Sequence, residues 1–258
     1  MSSELTSPRD QKLTLLIDAD LFLYQAAAAA EDEIDWGDDI WSLSSDIKEA
    51  KQIFQDKLSQ IHERIGTKEQ ILCFSDRENF RRGVDPTYKS NRKKTRKPVG
   101  HKALILWAKE TYKHYWKPAL EADDCMGIMQ TSPGANTIIV SDDKDMKTIP
   151  GRLYRPMSDE MLTISFDEAQ KHFFTQVLTG DTSDGYKGVP GIGPKKAESV
   201  LGPRPSWGGV IHAYQKAGMT EHDALQQARL ARILRWSEWD AATSTVKLWE
   251  IEHDREAS

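Results

Sequence analysis

The sequence predicts an α/β fold: a central, mostly parallel sheet flanked by helices. Three apolar runs carry this expectation, Leu13 to Ile17, Gln70 to Ser75 and Asn136 to Val140, with helical periodicity between them. Strands covered on both faces read as continuous apolar runs, and helices between such runs favour parallel neighbours. Each run also passes directly into acid: Asp18 and Asp20, then Asp76, then Asp142, Asp143 and Asp145. Open parallel sheets gather their ligands at the carboxyl ends of strands, so the acids mark one edge of the sheet as the place to look for chemistry.

Taken in order, Leu21 to Ala30 is alanine-rich and helix-forming. Glu31 to Asp46 is acidic, contains no Lys or Arg, and reads as a solvated loop. Ile47, Ala50, Ile53, Phe54, Leu58, Ile61 and Ile65 recur at helical spacing, and Gly66 ends that helix. After the second run and the basic segment, a helix is expected from about Lys102 to Tyr115, with Pro118 as its breaker. Glu121-Ala-Asp-Asp124 opens another helix, Cys125 to Gln130, and Leu153-Tyr154 offers a short fourth strand. Ser165-Phe-Asp-Glu168 is a capping box for a helix reaching about Leu178, and Glu221 to Trp236 reads as a further helix. Cys73 and Cys125 lie in apolar runs without metal spacing and read as reduced core thiols. No apolar run has membrane-spanning length and Met1 to Lys12 is polar, so a cytoplasmic protein without a membrane partner is expected.

The chain pivots on the stretch from Leu178 to Ala197. Asp181 and Asp184 follow the apolar helix, and Gly188-Val-Pro-Gly-Ile-Gly193 leads into a helix start at Pro194, Lys195 and Lys196. Glycines at 188, 191 and 193 let the backbone turn tightly, and Pro194 suits a first helical position. The N–H groups of such a helix start form a cradle for phosphate.

Charge is distributed unevenly. The net charge is −5, yet Arg81 to Lys102 holds nine Lys or Arg against one acid, leaving 26 bases and 39 acids elsewhere. Within it, Tyr88 and Phe80 offer faces for base stacking, worth about 1–3 kcal/mol each. Lys89 and Arg92 are three apart and on a helix would reach one phosphate together; Arg81 and Lys93 are further phosphate partners. A solvated, flexible charge run is the plainer alternative for this segment.

Parallel strands with right-handed crossovers would bring Asp18, Asp76, Asp143 and Asp145 to one edge, beside Glu121, Asp123 and Asp124 and then Asp181 and Asp184. So many carboxylates cannot all ionise without a counter-charge, and hard divalent cations such as Mg²⁺ supply it. Two ions about 4 Å apart suit in-line displacement at a phosphodiester. Any one of these acids could be a turn residue or helix cap; Asp20 and Asp142 are read as structural or supporting groups.

Together these motifs resemble the structure-specific 5′ nucleases, the flap endonuclease family, and most of all the 5′–3′ exonucleases of short-tailed lytic phages. The match spans about Leu13 to Leu201: Ile17-Asp-Ala-Asp20, Tyr88-Lys-Ser-Asn-Arg92 as an arch, Glu121-Ala-Asp-Asp124, Asp143-Lys-Asp145, and Gly180-Asp-Thr-Ser-Asp184 with its glycine-rich turn. The resemblance implies a PIN-like nuclease core over residues 1–160, including a basic helical arch at about 80–102. It implies a helical DNA-binding region over 161–258, with a helix-three-turn-helix at about 178–201. It further implies two Mg²⁺, replaceable by Mn²⁺: Asp18, Asp76, Glu121, Asp123 and Asp124 for the first, Asp143, Asp145, Asp181 and Asp184 for the second. Lys89 and Arg92 would contact the scissile phosphate, with Tyr88 on an unpaired base. Gly191, Gly193, Lys195 and Lys196 would hold the duplex backbone. K⁺ would sit on the carbonyls of Leu178, Thr179, Lys187, Val189 and Ile192, although Asp184-Gly-Tyr-Lys departs from the usual Asp-Asn-Ile-Pro there. The implied activity is 5′–3′ hydrolysis of DNA at duplex ends, nicks or flaps, with RNA–DNA hybrids as a further substrate, by a monomer in the host cytoplasm. A non-catalytic DNA-junction binder and a PIN-type ribonuclease are the alternatives.

Overall fold

The computed structural model describes residues 12–91 and 96–251. The chain begins with β1 (Thr14–Asp18) and α1 (Ala19–Ala29), then β2 (Glu31–Asp35) and β3 (Trp41–Ser45), α2 (Ile47–Ile65) and β4 (Gln70–Cys73). The next elements are α3 (Arg81–Val84), α4 (His101–Thr111), β5 (His114–Tyr115), α5 (Ala122–Gln130) and β6 (Thr137–Val140). A 3₁₀ turn at Lys144–Thr148 leads to β7 (Gly151–Arg155) and β8 (Glu160–Ile164). The rest is α6 (Phe166–Thr179), α7 (Pro194–Leu201), α8 (Trp207–Lys216), α9 (Glu221–Ala231), and the short pair β9 (Trp239–Asp240) and β10 (Thr245–Val246).

Six strands form one sheet in the order β5-β4-β1-β6-β7-β8, parallel except for the antiparallel β7–β8 pair. Strand β1 lies between the other two apolar strands: Ile17 is level with Leu72 of β4 and Val140 of β6. Leu15, Leu16 and Ile17 are fully buried, as a strand covered on both faces requires. On one face α1, α2 and α4 pack through Phe22, Phe54, Leu58 and Leu104; on the other, α5 packs through Cys125, Met126 and Ile128. Both cysteines are buried free thiols, as expected.

The helix over Ile47–Ile65 forms as its periodicity predicts. Asp46 caps it by accepting from the Lys48 and Glu49 N–H groups, and Gly66 closes it at φ +82°. A second core lies beneath α6 to α9, where Phe173, Trp207, Tyr214 and Trp249 pack together.

Four elements differ from expectation. Glu31 to Asp46 is not a loop but the β2–β3 hairpin, paired antiparallel from Glu31↔Ser45 to Asp35↔Trp41. Its strands show no in–out alternation because nearly every residue of the hairpin faces solvent. The expected helix to Tyr115 stops at Thr111, since His114 and Tyr115 add an edge strand beside β4. The expected helix to Trp236 stops at Ala231; the chain then turns extended and buries Ile233 and Leu234 against α5. Finally, β8 reaches Ile164 within the sheet, so the helical region opens at the Ser165 cap, which accepts from the Glu168 N–H.

Candidate active site

The parallel register sets Asp18, Ser75–Asp76 and Ser141–Asp143 side by side at the carboxyl edge of the sheet, and the N-terminus of α5 adds Glu121 and Asp123. Asp18, Asp20, Asp76, Lys89, Glu121, Asp123 and Asp143 line one cavity of about 950 Å³. A smaller cavity of about 300 Å³, lined by Thr14, Ile71, Asn136 and Trp236 among others, has no acid in its wall.

Asp18 is nearly fully buried. One carboxylate oxygen caps α1, accepting from the Leu21 N–H at 3.1 Å; the other accepts from Ser141 Oγ at 2.7 Å. These bonds do not offset the loss of water: burial, then the charges of Asp20 and Asp143, push its carboxyl up to about 7. Burial and the neighbouring Asp18, Asp143 and Glu121 hold Asp123 well above the carboxylate range. Burial raises Asp20 as well; it accepts from the Ser75 N–H at 2.9 Å. Ser75 Oγ in turn accepts from the Ala122 N–H at 2.9 Å, fixing the start of α5 against β4.

A second set lies between the 3₁₀ turn and the loop after α6. Burial, then Asp143, pushes Asp145 up to about 6. Burial would raise Asp181 too, but Lys144 and Ser183 donate to it, and its carboxyl falls to about 2. Lys144 Nζ stands 2.8 Å from Asp181 and 3.7 Å from Asp145. Lys89 plays the same part toward the cavity, 2.5 Å from Glu121 and 3.6 Å from Asp184. Burial works against charge at Glu121, yet Lys89 and Arg81 overcome it and bring its carboxyl below the usual range. Two ammonium groups therefore bridge acids of the sheet edge and 3₁₀ turn to acids of the 181–184 loop.

Among the described residues, no three acid, His or Cys side chains converge into a ready-made metal cage. The donors nevertheless fit hard divalent cations: they are carboxylates, crowded, and Asp18 and Asp123 are raised by burial and by acidic neighbours.

Several expectations are corrected. Asp124 is fully buried; Arg81 grips both its oxygens at 2.7 and 2.8 Å, and the Leu234 and Glu121 N–H groups also donate to it. It has no lone pair directed at the cavity and is an internal ion-pair partner rather than a metal ligand. Arg81 is likewise buried, donating also to the carbonyls of Leu230 and Arg232, so it anchors α3 to the C-terminal end of α9 instead of meeting DNA. Tyr88 is buried in the second core with its hydroxyl donating to Asp184 and Glu121 at 3.0 and 3.2 Å; its ring has no open face for a base. Lys89 adopts a left-handed backbone, φ +54°, rather than the helical one expected of it. Arg92 and Lys93 lie outside the described residues.

The remaining candidates are placed as follows. Asp76 lines the cavity while accepting from the Arg77 and Ala119 N–H groups at 2.7 Å. In the glycine-rich turn, backbone crosses backbone: a Cβ on Gly180 would lie 2.3 Å from the Lys187 carbonyl carbon, and one on Gly188 would lie 2.3 Å from Gly180 N. The Leu178 carbonyl accepts from the Val189 N–H and the Val189 carbonyl from the Ile192 N–H. Gly193 is the N-cap of α7 and Pro194 its first residue. Gly191, Gly193, Lys195 and Lys196 are exposed around it, Lys196 Nζ donating to the Gly191 carbonyl at 2.9 Å. Thr179 and Lys187 flank the crossing.

Sequence reasoning missed Lys144, Ser141 and Asn91. Asn91 Nδ2 donates to the carbonyls of Thr182 and Ser183, and the Lys89 N–H to that of Asp184 at 2.8 Å, so the arch base is docked on the 181–184 loop. Only Lys144 carried a signal, its position between two acids.

Comparison with known proteins agrees with this geometry. The family model for the 5′–3′ exonuclease N-terminal, resolvase-like domain matches residues 13–178. The chain is 32% identical to the exodeoxyribonuclease of Enterobacteria phage T3, over 95% of each chain. It is also 32% identical to the exonuclease of Escherichia phage T7, over 95% of this chain and 96% of that one. Its fold matches a T5 5′-exonuclease with divalent zinc bound, at TM-score 0.65 and 15% identity, covering 85% of this chain and 89% of that one. A T5 flap endonuclease in complex with DNA and metal ions matches at TM-score 0.60, with 15% identity and the same coverage. With the family model covering the whole sheet, all its acids and the helix before the glycine-rich turn, the chain belongs to the 5′–3′ exonuclease family.

Proposed function

We propose that this chain is a Mg²⁺-dependent 5′–3′ exodeoxyribonuclease that hydrolyses phosphodiesters from the 5′ ends of duplex DNA, with flaps and RNA–DNA hybrids as further substrates. The observation that carries this reading is the cavity lined by Asp18, Asp20, Asp123 and Asp143, with Asp18 raised by burial, Asp20 and Asp143, and Asp123 by burial, Asp18 and Asp143. Residues up to about 160 serve as the metal-binding core and the remainder as the DNA-binding region.

Asp18, Asp123 and Asp143, with Glu121 and Asp76 beside them, would hold one divalent ion, Mg²⁺ or Mn²⁺; Asp145, Asp181 and Asp184 would hold or orient a second. When bound, such a pair supplies the activated water and stabilises the charge on the leaving oxygen. The chain's own groups do the rest. Lys89, held over the cavity by Glu121 and Asp184, is placed to move from carboxylate to scissile phosphate and neutralise its developing charge. Arg92 is assigned the same task from the family resemblance. Lys195 and Lys196, with the N–H groups at the start of α7, hold the duplex backbone, and K⁺ on the carbonyls of the turn would strengthen that grip. The terminal base pair must open for its phosphate to enter, at a cost of a few kcal/mol.

The test is product length on 5′-labelled blunt, nicked and flapped duplexes, with and without Mg²⁺. Short 5′ products only in Mg²⁺, and none from Asp181→Ala despite unchanged DNA affinity in EDTA, are expected. DNA binding without any product in Mg²⁺ would make the chain a junction binder, and cleavage confined to RNA would make it a ribonuclease.

A further inference from the structure

The β2–β3 hairpin takes no part in the chemistry above, and its surface is unusual. Trp36, Ile40 and Trp41 are 68%, 60% and 60% exposed, and residues from Asp35 to Ser44 face solvent on both sides of the ribbon. Trp36 and Ile40 lie on one side and Trp41 with Leu43 on the other, as the register dictates. Among the described residues the ribbon joins no third strand, so each strand leaves one edge of backbone donors and acceptors unpaired. A two-stranded ribbon is marginal in water by itself, and such an edge is a template for an added strand. The ribbon is tied down at its root, where Glu31 accepts from Arg96 and from the Val99 N–H.

Charge selects the occupant. Residues 31–46 carry seven acids and no Lys or Arg. A phosphate backbone is repelled by that surface, and so is the same hairpin of a second copy. Four large apolar side chains beside seven acids complement a surface of alternating basic and apolar residues. We propose that the hairpin is a docking arm for a protein partner that presents an extended segment of alternating Lys or Arg and apolar residues. The tryptophan on the face that the segment covers would supply the buried contact, and Glu33, Asp35 and their neighbours the steering.

The probe is a fluorescein-labelled peptide of alternating lysine and valine, read by anisotropy against the full chain. An oligolysine peptide of equal charge is the control. The Trp36→Ala/Trp41→Ala variant should bind the alternating peptide at least about tenfold more weakly, as loss of a buried aromatic contact implies, and oligolysine unchanged. Its hydrolysis of blunt duplex should equal that of the wild type. A second variant, Asp32→Lys/Glu33→Lys, keeps the aromatics and should also lose the alternating peptide, which guards against a folding defect in the first. Equal affinity of wild type and both variants overturns the proposal. So does a parallel loss of duplex hydrolysis in the tryptophan variant, which would make the hairpin a DNA contact. A wild-type dimer that the tryptophan variant dissociates in sedimentation would overturn it as well, by naming a second copy as the occupant.

Discussion

Asp18→Asn should abolish cleavage and at the same time stabilise the metal-free protein. A carboxyl raised in the folded state penalises folding at pH values above its unfolded pKa and has no effect below it. The folded Asp18 titrates near 7 against an ordinary 3.8. At ~1.4 kcal/mol per pH unit, that gap costs about 4 kcal/mol at pH 8. Asparagine is uncharged, of the same shape, and a good helix cap. It has one acceptor oxygen where Asp18 uses two, for the Leu21 N–H and Ser141 Oγ, so about 1 kcal/mol is given back. The net gain is about 3 kcal/mol, or about 6–12 °C in Tm for a chain of this size. At pH 5 wild-type Asp18 is already protonated when folded, and the gain shrinks below about 1 kcal/mol. Thermal melts by near-UV circular dichroism in EDTA at pH 5 and 8 measure both values. A variant that melts at or below the wild type at pH 8 would refute the electrostatic crowding assigned to the site. Added Mg²⁺ should raise the wild-type Tm and leave that of the variant nearly unmoved.

Further outcomes follow from the same geometry. Lys89→Ala should lower single-turnover cleavage by about 10²–10³ while DNA affinity changes little; an unchanged rate would remove Lys89 from the chemistry. Arg81→Met leaves the Asp124 carboxylate buried and unpaired, and should lower stability by about 3–5 kcal/mol in urea without changing the salt dependence of DNA binding. Lys195→Ala should weaken binding to all duplex sequences alike and reduce the slope of log K against log salt by about one, read from titrations at several salt concentrations.

The sequence alone determined the parallel strands β1, β4 and β6, most helices and the acids that follow those strands. Apolar runs ending in acid are a local signal, because a strand covered on both faces must be apolar throughout and its end is where polarity can resume. From β1, β4 and β6 the convergence of Asp18, Asp76 and Asp143 on one sheet edge followed, as did the cap at Ser165 and the tight turn over Gly188 to Gly193, but not the backbone crossing of Gly180 and Gly188. Tertiary structure decided which charges face each other. Asp123 and Asp124 are adjacent in the chain and chemically alike, yet the turn of α5 aims one into the cavity and the other at Arg81. Tyr88 and Arg81, legible only as members of a basic run, are withdrawn into a core whose other half comes from α6 and α9, nearly a hundred residues or more away. The lysine bridges have the same origin: Lys89 and Lys144 find their acids across distances that no local pattern records. Position along the chain fixes what a side chain is, but its partner, and hence its proton, is fixed by what the fold leaves beside it once water is gone.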